Sequence, residues 1–181
     1  MNKQGRKFLP LLLGLSLLLN THPPTLAQSQ SLEEQTVLAA LTLNIVRFTT
    51  WPDGSSIKDT IDLCVVGDNV VQQSFAGIDN KTVNNKTLRV INLTRLRNFE
   101  QCHVLYVSDL KQNILLQVFV EIKKLPLLTI GEGYDFAVQG GMVGLENVNG
   151  KITLHVNLSV ARESNLNISA RLLNLAKIIG N

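Results

Sequence analysis

The chain has 181 residues, 45% of them apolar and 17% charged, with a formal charge of +3. That composition excludes a disordered chain, and one tryptophan and two tyrosines are too few for a base-stacking surface. The net positive charge would suit nucleic acid or anionic lipid, yet the first 27 residues hold three of the 17 basic side chains and none of the 14 acidic ones, so the rest of the chain is formally neutral.

Those first residues read as an export signal. Lys3, Arg6 and Lys7 precede an apolar run from Phe8 to Leu19, and Thr25-Leu26-Ala27 supplies small residues for cleavage before Gln28. The apolar run is shorter than the roughly 20 residues of a membrane-spanning helix. Residues 28–181 then form one domain, and the expected compartment is the periplasm.

From Leu32 to Thr50 the apolar residues recur at helical spacing. Ser31 and Glu34 have the spacing of a capping box, and Trp51-Pro52 ends the helix. Ile61–Val66 is a short buried-type strand, interrupted only by Asp62. Gly67-Asp68-Asn69 leads into a short helical stretch, and Lys86–Leu93 alternates as a half-buried strand. His103–Val107 is a further buried strand. Ser108 is positioned to cap a helix to about Lys123, with Ile114, Leu115, Val118, Phe119 and Ile122 as its apolar face. Pro126–Ile130 is the next strand, and Gly131–Tyr134 reads as a turn. Met142–Glu146 and Ile152–Val156 pair around Asn149-Gly150, a hairpin signal. Leu158–Glu163 is a helical turn, and Ala170–Ile179 reads as a closing helix. Alternating strands and helices predict an α/β single-domain sandwich, its mixed, mostly parallel sheet flanked by helices.

Catalytic and metal signals are thin. There is no nucleophile elbow, P-loop or H-E-x-x-H, and His103 and His155 both lie in strand-like runs without further ligands, so no metal or cofactor is expected. Cys102 and His103 are neighbours on an extended segment and face opposite ways, which denies them the contact of a thiol nucleophile and its base. Cys64 and Cys102 read either as one disulfide, favoured in an oxidising compartment, or as two buried thiols. Asn157, Arg162, Glu163 and Arg171 form a polar cluster that suits a partner or a ligand, with capping as the plainer reading. Tyr134, in the glycine turn, joins them as a candidate.

Trp51-Pro52 after an amphipathic helix, Cys102-His103-Val104-Leu105-Tyr106 opening a strand, and Leu127-Leu128-Thr129-Ile130 before a glycine turn occur in order. Phe136-Ala137, Gly140-Gly141-Met142, Val156-Asn157-Leu158 and Leu166–Ser169 running into Arg171–Ala176 come after them. The series, from Leu32 to Ile179, resembles the YfiR family of exported bacterial regulators. The resemblance implies a non-enzymatic periplasmic protein that represses an inner-membrane diguanylate cyclase through its periplasmic region, lowering cyclic di-GMP and biofilm output. It further implies a homodimer and sequestration by an outer-membrane lipoprotein; the neutral charge of residues 28–181 separately argues against nucleic acid as a partner. Cys64 and Cys102 match a disulfide pair of the family, whereas the second pair of some members is missing here. The alternative reading is a periplasmic small-ligand sensor.

Overall fold

Buried apolar runs set the frame. In the computed structural model, which describes residues 26–180, Ile61–Val66 is buried throughout and forms an interior strand of an eight-stranded sheet. The elements run α1 (Leu26–Arg47), β1 (Thr49–Thr50), β2 (Thr60–Val66), α2 (Asn69–Ala76), β3 (Thr82–Val83), β4 (Lys86–Asn92) and β5 (Val104–Val107). Then come α3 (Gln112–Ile122), β6 (Leu128–Glu132), α4 (Tyr134–Val138), β7 (Val143–Val148) and β8 (Lys151–Asn157). The chain closes with α5 (Leu158–Glu163), β9 (Asn167–Ile168), α6 (Ala170–Leu173) and β10 (Ala176–Ile179). The expected export segment lies outside the described residues, except that Leu26 and Ala27 open α1. Among the described residues no helix is long and apolar enough to cross a membrane.

The strand order is β10-β8-β7-β6-β5-β2-β4-β3. All neighbours are parallel except β3 with β4 and β7 with β8, so the sheet is mixed and mostly parallel. The β7–β8 hairpin turns on Asn149 and Gly150, both at positive φ. Side chains alternate across β2. Ile61, Leu63 and Val65 face a core shared with α1, α2 and α5, while Cys64 and Val66 face a second core with α3 and Phe136 of α4. Asp68 caps α2, its carboxylate accepting from the Val70 and Val71 amides at 2.9 and 3.0 Å.

One crossover departs from the usual pattern. Parallel strands are ordinarily joined through a helix. From β4 to β5, residues 93–103 instead cross β2 with only one turn of 3-10 helix, Phe99–Gln101. The Cys64–Cys102 disulfide, with Cα atoms 5.7 Å apart, bolts this segment to the middle of β2. Leu93 and Leu96 pack into the same core.

Four local expectations are corrected. Helix α1 starts ahead of Ser31, so Ser31 and Glu34 are interior and cap nothing. It ends at Arg47 because Thr49 and Thr50 pair antiparallel with Ile168 and Asn167. Helix α3 begins at Gln112, not after Ser108, because Asp109 takes a positive φ of 50° and Ser108 instead extends the β2–β5 ladder, donating its amide to the Val66 carbonyl at 2.9 Å. The closing helix is a single turn, and Ala176–Ile179 is an edge strand parallel to β8.

Candidate functional site

Two places concentrate polar chemistry against structure. The first is where the sequence places it, around the end of β8. Asn157 is buried there and spends its amide locally. Its Nδ2 donates to the Ala137 carbonyl at 2.9 Å, and its Oδ1 accepts from the Ser159 hydroxyl at 2.8 Å and the Val160 amide at 3.3 Å. It thus caps α5 and ties it to α4. Ser169 caps α6 in the same way, through the Arg171 amide. Arg162, Glu163 and Arg171 are exposed. Tyr134 opens α4 with its ring edge-on to His155, centroids 5.0 Å apart, and the His155 Nε2 is 2.8 Å from a Glu146 carboxylate oxygen.

Beside α5 an apolar groove of about 330 Å³ runs under α3. Leu116, Phe119 and Val120 form one wall, Met142 and Val160 the other, and Lys123 and Glu163 add opposite charges. Of the five residues nominated at this end of the chain, Glu163 alone lines it. Gln139 contributes a buried amide oxygen that meets no donor. The groove was not legible in the sequence, because its walls are spaced along α3 as an ordinary helix face.

The second place joins the amino-terminal ends of β2, β4 and the crossover. Asp62 accepts from the Arg89 guanidinium at 2.7 Å. The Asp62 amide donates to His103 Nδ1 at 2.9 Å, and His103 Nε2 lies 2.8 Å from the Ser56 hydroxyl. The Trp51 indole donates to the His103 carbonyl at 3.2 Å. Burial is the main cause that pushes the His103 pKa below the ordinary imidazole value, assisted by Arg89 and opposed by Asp62. Ser56, His103 and Asp62 have the composition of a hydrolase triad, but the proton is on the wrong nitrogen. With Nδ1 accepting from a backbone amide, Nε2 carries the hydrogen and has no lone pair with which to take the Ser56 proton. The set is a structural network. Its only sequence signal is Asp62 itself, a carboxylate interrupting an apolar strand.

At the opposite end of the sheet, Tyr106 donates to Glu132 at 3.0 Å, and Gln35 of α1 donates to the same oxygen at 3.0 Å. Burial, with the nearby Glu132 charge, pushes the Tyr106 pKa up, so the phenol stays protonated. Among the described residues no group of three or more His, Cys, Asp or Glu side chains is placed to hold a metal ion.

Fold and site together define the class: a doubly wound α/β domain whose irregular crossover is held by an internal disulfide. The chain belongs to the YfiR/HmsC-like family, whose model matches residues 35–177. Proteins of this family are in general regulatory. Nine solved chains match its structure. One is a conserved domain protein from Vibrio cholerae O1 biovar El Tor strain N16961, with a TM-score of 0.51 and 11% identity. The match covers 80% of this chain and 59% of that one, and at such identity it is a likeness of fold. No curated protein sequence matches the chain.

Proposed function

We propose that the protein is an exported, non-enzymatic regulator that binds the periplasmic region of an inner-membrane diguanylate cyclase and holds the enzyme in its inactive state. Membership of the YfiR/HmsC-like family over residues 35–177 carries the reading. The signal-like first 27 residues support it, as does the Cys64–Cys102 disulfide, which suits an oxidising compartment. Repression of this kind needs a difference in affinity between two states of the target, and each tenfold of repression takes about 1.4 kcal/mol of that difference. The exposed Arg162, Glu163, Arg171 and Tyr134 are offered as contacts for the partner. A homodimer and release by an outer-membrane lipoprotein complete the proposal on the family resemblance.

Deletion of the gene should raise cellular cyclic di-GMP and biofilm mass, and restoration of the gene should reverse both. Unchanged cyclic di-GMP in the deletion strain, with the cyclase present in the membrane, would sink the reading.

The groove under α3 favours a second reading, a small-ligand sensor, because its volume of about 330 Å³ reaches the range of small-molecule sites. The two readings are compatible, with a ligand tuning the repressor. A thermal-shift screen of the mature protein against apolar metabolites tests the second one, and it fails if no compound raises the melting temperature.

A further inference from the structure

The β4–β5 crossover carries an unclaimed charge feature. At the carboxyl end of β4 an open cavity of about 380 Å³ is lined by Ile91, Leu93 and six polar residues, Arg95 and Arg97 among them. Every polar side chain in that lining can donate a hydrogen bond, and no carboxylate is among them. Glu100, the acid nearest in sequence, is not part of the wall. Both arginines are exposed, and neither forms an ion pair among the described residues.

One tight turn of the backbone carries both arginines. The Arg97 amide donates to the Arg95 carbonyl at 3.0 Å, which folds a tight turn over Leu96. Leu96 packs inward, against the core that contains the disulfide, and leaves its two neighbours outside. The segment is fixed on both sides: the Leu93 amide donates to the Val65 carbonyl at 2.9 Å, and Cys102 is bonded to Cys64. Two unpaired arginines on a tethered turn, with amide and hydroxyl donors around them, match the planar and tetrahedral oxygens of an oxyanion.

We propose that this cavity binds a phosphate group, carried by a soluble metabolite or by a lipid headgroup. The proposal does not rest on the regulatory reading. Inorganic phosphate should raise the melting temperature of the exported protein above that seen in sodium chloride of equal ionic strength. The R95Q/R97Q variant should need at least tenfold more phosphate for the same shift. Both positions are exposed, so circular dichroism should show the variant folded. Co-sedimentation with phosphatidylcholine vesicles containing phosphatidylglycerol forms the second arm. Loss of vesicle binding in the variant supports a headgroup; a phosphate shift without vesicle binding supports a soluble ligand. A wild type that neither shifts nor sediments, or a variant that matches the wild type in both, overturns the proposal.

Discussion

Phe136 shows how tightly single positions are specified. Its ring sits between Gly131 and Gly141, where an added Cβ would come within 2.3 Å and 2.2 Å of ring carbons. Neither glycine can gain a methyl group without moving the ring into the other. Gly131→Ala should therefore cost about 3 kcal/mol, at the upper end for overpacking, measured by urea unfolding. Phe136→Leu in the same background should recover part of the loss. His103 gives a pH dependence of known sign. Burial depresses its folded pKa, so the unfolded chain binds the proton more readily. Its contribution to stability is complete above about pH 6.5 and declines as the pH falls through and below that value. Urea midpoints at about pH 8 and about pH 5.5 should show the decline. His103→Asn keeps an acceptor for the Asp62 amide, so it should flatten the slope. Residues of this kind were only half legible. The sequence pattern marked His103 as structural and set Asn157 in a polar cluster, but Ser56 and Arg89 acquire their roles only through tertiary contacts that place residues distant in the chain beside one another.

At the scale of elements, the stapled crossover is the feature to test. The disulfide closes a loop with a sequence separation of 38, which corresponds to about 4 kcal/mol in the chain-entropy account. The Cys64→Ser/Cys102→Ser variant should lose stability of that order by urea unfolding without reductant. Amide exchange should quicken most in residues 93–103, where only one turn of 3-10 helix would hold the freed segment. The central elements could be read from the sequence because each carries its own signal: an apolar run, a capping Asp68, an Asn-Gly turn. The closing strand could not. Ala176-Lys177-Ile178-Ile179 continues the apolar spacing of α6, and it becomes a strand because the open edge of β8 supplies a ladder of hydrogen bonds. The same holds for Thr49-Thr50, whose partners lie at Asn167-Ile168. Long-range pairing overrode local preference in both places.

For the whole molecule, charge is divided unevenly along the chain. The first 27 residues hold the entire excess of +3, and residues 28–181 are formally neutral. Neutrality overall leaves room for local imbalance. From residue 80 to residue 99 there are basic side chains at Lys81, Lys86, Arg89, Arg95 and Arg97 and no acidic one. Association with an acidic partner through this side of the sheet should weaken steeply with salt, whereas association through the apolar groove under α3 should not. Binding measured across a salt series would tell the two faces apart. The order of the strands has a consequence of another kind. From β5 onward, β6, β7, β8 and β10 stand side by side in the order in which they are synthesised, joined by short helical connections and one tight hairpin. A chain delivered end-first through a narrow channel could add each strand to a neighbour already in place. Assembly would then proceed by growth at one edge, without waiting for distant segments to meet.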